Sequence, residues 1–83
     1  MNVAAPERLA EAVAARGFDA DVRALPGWPP YLDVRNPRAV ILAERVYAHD
    51  DVYWWSWQEK IAGCDEVTTA AGIVARVLRT AGE

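Results

Sequence analysis

The sequence predicts an α+β domain: an antiparallel meander sheet of three or four strands, with N- and C-terminal helices packed on one of its faces (α-β-β-β-α). Three observations carry this. Apolar residues recur at helical spacing near both ends of the chain, they alternate with polar ones in between, and turn-forming residues separate the alternating runs. Eighty-three residues, 53% apolar and 25% charged, suit one globular domain spanning residues 1–83 and leave no room for a second core.

Leu9 and Val13, one turn apart among Ala10, Ala12 and Ala14, predict a helix over residues 5–16. Gly17 stands where a left-handed C′ residue belongs, and Phe18 behind it can fold back onto Leu9 and Val13. Pro6 suits the first helical position, whereas Ala5 is a poor N-cap. Phe18, Ala20, Val22 and Ala24 then alternate with Asp19, Asp21 and Arg23, the pattern of a half-buried strand built from weak strand formers; residues 18–25 decide between three strands and four. Pro26-Gly27-Trp28-Pro29-Pro30 ends regular structure and predicts a rigid loop whose Trp28 lids the core, with a polyproline ligand for a partner's aromatic groove as the alternative. Strands over Tyr31–Arg35, Val40–His49 and Val52–Ile61 follow, divided by the turn segments Asn36-Pro37-Arg38 and Asp50-Asp51. Val67, Ala70, Ala71, Val74, Val77, Leu78 and Ala81 define the closing helix, with Asp65 as its N-cap and Gly82 at its end.

Placing Asp50-Asp51 at a hairpin tip sets Ala48 opposite Tyr53 and sorts both strands into two faces. One carries Val40, Leu42, Glu44, Val46 and Ala48 with Tyr53, Trp55, Trp57, Glu59 and Ile61, eight apolar residues of ten. The other carries Ile41, Ala43, Arg45, Tyr47 and His49 with Val52, Trp54, Ser56, Gln58 and Lys60, five of ten. The richer face is therefore expected to meet the helices, with Trp55 and Trp57 in the core. Each could contribute on the order of 4–6 kcal/mol as an upper bound. Keeping Leu32 and Val34 inward turns Tyr31, Asp33 and Arg35 outward beside the poorer face. Trp54, Tyr47, Arg45, Tyr31, His49, Ser56 and Gln58 are thus the candidate binding face, since aromatics and Arg framed by polar groups are the composition of an interface centre. The patch would be of order 300–500 Å2. The competing reading is that these aromatics only pair across strands of a solvated sheet.

A net charge of −3 and a pI near 5.0 weigh against duplex nucleic acid, and an acidic chain lacks the basic groove of a single-strand platform. No run approaches the ~20 apolar residues of a bilayer span, and the first residues lack the charged and apolar regions of a signal peptide, so neither a membrane nor a secretory route is expected and the cytoplasm is. The single Cys64 excludes an intramolecular disulfide and a thiolate-rich metal site. With one Ser, one His and no glycine-rich phosphate loop, no catalytic residue, metal or cofactor is assigned; His49, Asp50 and Asp51 read as a solvated turn. Glu44 and Glu59 are the exception. Diagonally placed at ~7–8 Å beside Trp57, they could line an alternative pocket in which an apolar ring separates two carboxyl pKa values; the competing reading is that both lie where the helix layer ends, or that a bulge near Ala43-Glu44 turns one outward.

The string Val52-Tyr53-Trp54-Trp55-Ser56-Trp57-Gln58-Glu59-Lys60-Ile61 and a vocabulary with eight Arg against one Lys resemble small uncharacterised proteins of high-GC actinobacteria. In these a Leu-x-Val-x-Asn-Pro segment precedes a Trp-Ser-Trp strand and an Ala-rich helix. The matching positions are Leu32, Val34, Asn36, Pro37, Trp55, Ser56 and Trp57, and the resemblance covers residues 28–80. It brings no assigned activity. In element order and acidity the chain is also similar to small dimeric secretion-chaperone-like domains, an analogy of plan that does not fix function. The function expected is a non-enzymatic protein–protein interaction module, a homodimer formed through the aromatic sheet face. The alternative is a small-molecule-binding or weakly catalytic protein using Trp57, Glu44 and Glu59.

Overall fold

The computed structural model describes residues 3–27 and 29–79, the side chain of Val40 excepted; Trp28, the expected lid, and Ala81 and Gly82, expected at the end of the last helix, lie outside the described residues. Helix α1 spans Ala4–Ala14. It ends as its sequence requires: Gly17 takes a φ of +91°, its N–H donates to Ala14 O at 3.0 Å, and the Phe18 N–H donates to Val13 O at 3.2 Å. That reversal delivers Phe18 to the core beside Leu9 and Val13.

The sheet has five strands rather than three or four. Strand β1 (Asp19–Arg23) does form, despite its weak strand formers, because Ala20 and Val22 pack half-buried against the core. Then come β2 (Tyr31–Asn36), β3 (Ala39–His49), β4 (Val52–Trp55) and β5 (Lys60–Gly63), each antiparallel to the one before, in the spatial order β1-β2-β3-β4-β5. Helix α2 (Val67–Leu78) closes the chain. Its N-cap is Glu66 rather than Asp65, without a side-chain capping bond, and the chain is already extended at Arg79, where ψ is 148°.

The fifth strand arises where one long strand was expected. The chain turns after Trp55 through Ser56-Trp57-Gln58: the Trp55 N–H donates to Glu59 O at 2.9 Å, the Gln58 N–H donates to Trp55 O at 2.9 Å, and Gln58 sits at a φ of +66°. This is a three-residue hairpin loop with a left-handed third residue, a position usually held by glycine. The pairing expected beyond Trp55, with Trp57, Glu59 and Ile61 facing β3, is thereby replaced by pairing of β5 with β4, in the register Tyr53↔Ala62 and Trp54↔Lys60. Trp57 is not a core residue. It stands on the loop, 49% exposed, with its ring stacked on Trp55 at 4.9 Å and its indole N–H donating to Glu59 Oε2 at 2.9 Å. At the other end of β3, Val40 to Leu42 lie between the pairs Arg35↔Ala43 and Asn36↔Ala39 without partners on β2, and Ile41 is 89% exposed.

Both helices cover one side of the sheet. Leu9 and Val13 of α1 and Ala70, Ala71, Val74 and Leu78 of α2 pack on Leu32, Val34, Val46, Tyr53 and Trp55. Tyr53, fully buried, donates its phenol to Ala5 O at 2.6 Å and so ties β4 to the first turn of α1. Burial pushes that phenol above its ordinary pKa, with the Cys64 sulfur adding to the effect. Cys64, buried just before α2, is raised likewise by burial and then by Asp51, which leaves it a protonated core residue at neutral pH.

Candidate binding surface on the sheet

The outer face begins at the Asp50-Asp51 turn. Both residues adopt left-handed backbone, φ +54° and +58°, the mirror-image turn whose twist matches the flanking strands. It pairs His49 with Val52, Ala48 with Tyr53 and Tyr47 with Trp54, the register its position in the sequence implies. Because Tyr31 pairs with Tyr47 and Arg23 with Tyr31, one row crosses all five strands as Arg23, Tyr31, Tyr47, Trp54 and Lys60. Three aromatic rings are bracketed by two cations.

Within this row the rings are held by one another. Tyr31 and Tyr47 meet at 5.5 Å, tilted by 44°, and the Arg45 guanidinium lies 4.9 Å above the Tyr31 ring. Tyr31 is consequently buried although it points away from the helices. A hydrogen bond with Tyr47, followed by the fields of Tyr31 and Asp33, raises the Arg45 pKa further above its ordinary value, so it remains a cation at any working pH. Trp54 stacks on His49 at 5.1 Å and 8°, and its indole N–H donates to the His49 carbonyl at 3.2 Å. Tyr47 and Trp54 stay partly exposed. Polar groups frame them: Asp33 pairs with Arg35 at 3.6 Å, and His49 Nδ1 lies 3.3 Å from Asp50 Oδ2. Arg45, His49, Ser56 and Gln58 are exposed.

A cleft of about 540 Å3 opens at the Trp54 end, lined by Pro29, Tyr47, His49, Trp54, Trp55, Ser56 and Gln58. Five of the seven expected face residues meet there, and Arg45 and Tyr31 continue the surface away from it. Ser56 and Gln58 reach the cleft from the hairpin loop rather than from a strand. The alternative grouping fares differently. Trp57 and Glu59 are exposed and bonded to each other, while Glu44 is approached by the Ser56 hydroxyl at 3.5 Å. Trp57 and Glu59 belong to the loop and Glu44 to β3 opposite Val34, and neither cleft of the molecule is lined by any of the three.

Among the described residues no helix is long and apolar enough to cross a membrane, and no three His, Cys, Asp or Glu residues converge as metal ligands. A second cleft lies at the opposite side of the molecule, where Arg16, Arg38, Arg76 and Arg79 converge. Sequence reading missed it, since these arginines are dispersed along the chain. The one available signal was their position, each at or just beyond a helix end or in the Asn36-Pro37-Arg38 turn. Comparison of the chain with family models, curated proteins and solved structures finds no match.

Proposed function

We propose that this protein is a non-enzymatic interaction module that associates with a second copy of itself through the outer sheet face. The observation that carries the reading is the row Arg23–Tyr31–Tyr47–Trp54–Lys60, of which the Tyr47 and Trp54 rings stay partly exposed on a side of the sheet that no described helix covers. Aromatics and arginine are enriched at interface centres because they desolvate large surfaces at low entropic cost.

Self-pairing is favoured by the arrangement of that face. Turning a second copy end over end about an axis across the strands, centred on the row Asp21–Asp33–Arg45, exchanges the two flanking rows. Asp19 then meets Arg23, Arg35 meets Tyr31, and Ala43 meets Tyr47: opposite charges, a cation over a ring, and a small residue under a large one. On the axis itself Asp21, Asp33 and Arg45 each meet their own copy, like charge against like, so the exchanged flanking rows must outweigh that repulsion. With strands about 4.8 Å apart, the face measures roughly 400 Å2. Standard interfaces bury about 800 Å2 per partner, so the dimer belongs to the weak, concentration-dependent class.

Sedimentation equilibrium from micromolar to millimolar concentration tests the reading. Wild-type protein is expected to dimerise across this range, and Tyr47→Ala, and to a lesser degree Trp54→Ala beside it, to weaken association, by up to tenfold or more for an aromatic anchor. Wild-type protein that stays monomeric at millimolar concentration would overturn it.

A further inference from the structure

We propose that strand β1 pairs edge to edge with β1 of a second copy, antiparallel about a two-fold axis at Val22, so that the two sheets join into one. The sheet has two edges, β1 and β5. β5 is a poor template for another strand: it has four residues, its pairing with β4 shifts between Tyr53 and Trp54, and α2 packs against it. β1 holds one unbroken register with β2 over all five of its residues, and no described strand lies beyond it.

Alternation of backbone direction identifies the groups that face this edge. The Trp55 N–H donates to Glu59 O, so Trp55 turns its backbone toward β5 and Trp54 turns its own toward β3. The pairs Trp54↔Tyr47, Val46↔Leu32 and Tyr31↔Arg23 carry the same alternation across the sheet. Asp19, Asp21 and Arg23 therefore direct their backbone groups to β2, and Ala20 and Val22 direct theirs to the open edge. The side chains divide the other way: Ala20 and Val22 are half-buried against the core, whereas Asp19, Asp21 and Arg23 are exposed on the outer face.

Charge selects a second copy as the occupant, and one register. A two-fold axis can pass through Ala20, Asp21 or Val22. At Ala20 it sets Asp19 against the partner's Asp21, twice over, and at Asp21 it sets that carboxylate against its own copy; like charges directly opposed are destabilising. At Val22 it sets Asp21 against the partner's Arg23 at both ends, Val22 against itself and Ala20 against the partner's Ala24, with no like charges opposed. This register also brings the outward-turned backbone groups of Ala20, Val22 and Ala24 opposite one another, as hydrogen-bonded pairs require. The aspartates that blunt the edge against other alignments thus admit this one. The pairing uses backbone groups that the outer-face dimer leaves open.

Amide hydrogen exchange, read residue by residue by NMR at about 50 μM and about 2 mM protein, tests the proposal. With a dissociation constant of about 1 mM for so small a contact, the Ala20 and Val22 amides should exchange about twofold more slowly at the higher concentration. The Asp19 and Asp21 amides, directed to β2, serve as the reference. Val22→Pro removes an N–H that β2 does not use and should abolish the effect at Ala20, whereas Tyr47→Ala on the sheet face should leave it. Arg23→Asp, at an exposed position, should abolish it too, and Asp21→Arg added to Arg23→Asp should restore it. The outer-face dimer, which sets Arg23 against the partner's Asp19, gains nothing from that exchange of charges, so failure of one proposal is distinguishable from failure of the other. Ala20 and Val22 amides that exchange alike at both concentrations, protection that survives Val22→Pro or vanishes in Tyr47→Ala, or a loss that the charge exchange does not restore would each overturn it.

Discussion

The outer sheet face takes all its candidate residues from one continuous meander, residues 31–58, whereas the arginine cleft is assembled from the end of α1, the β2–β3 turn and the second half of α2. The face is aromatic and carries both signs of charge; the cleft is polar and carries one. A strand alternates its side chains with period two, so a row such as Tyr31–Tyr47–Trp54 follows once turn and register are known. No such rule joins Arg16 to Arg38 and Arg76. Their meeting depends on how two helices lie across a sheet, and the net charge of the chain conceals it.

Asn36 offers the sharpest way to break this contrast. Asn36→Ala removes a buried amide and leaves Leu78 O and the Arg38 N–H without its bonds, which should cost about 1–3 kcal/mol by thermal or urea unfolding. It should also loosen the β2–β3 turn from the end of α2 while leaving self-association intact. If self-association fell in protein shown to be folded, the two regions would not be independent.

A smaller effect is expected at the edge of the sheet face. Trp57→Ala removes a half-exposed ring stacked on Trp55 and should cost about 1 kcal/mol, the scale of an aromatic pair, rather than the ~3–5 kcal/mol of a core tryptophan. Urea unfolding distinguishes the two. A loss in the upper range would mean that Trp57 belongs to the core after all.

The smallest change should be a gain. Gly72→Ala adds a methyl group at ordinary contact distance from Arg16 and restores helix propensity, which should stabilise the fold by up to about 1 kcal/mol, seen as a rise in Tm of several degrees. A fall in Tm would show that Arg16 cannot give way to the added methyl group.

Much of the architecture was legible because local chemistry and global packing agree. Gly17 and Phe18 mark the end of α1, Asp50-Asp51 marks the hairpin tip, and alternation from Tyr31 onward separates Leu32, Val34 and Val46 from Tyr31, Arg45 and Tyr47. The strand count failed where that agreement lapses. Ser56-Trp57-Gln58 offers Ser56 as its one turn residue and no glycine, asparagine or aspartate at the left-handed position, which Gln58 takes instead. Strand periodicity therefore ran through it to Ile61 and carried Trp57 into the core on parity alone. The cap of α2 failed for a related reason, since Asp65 has the right chemistry but the helix starts one residue later, behind Glu66.

Sequence alone thus determined the α+β class, the two helices on one side and the membership of the outer aromatic row, because each follows from periodicity and from turns a few residues long. Tertiary structure decided the fifth strand, the exposure of Trp57, the near-burial of Tyr31 under Arg45 and Tyr47, and the convergence of four arginines. These depend on contacts between distant segments and on backbone conformations that neither composition nor spacing encodes.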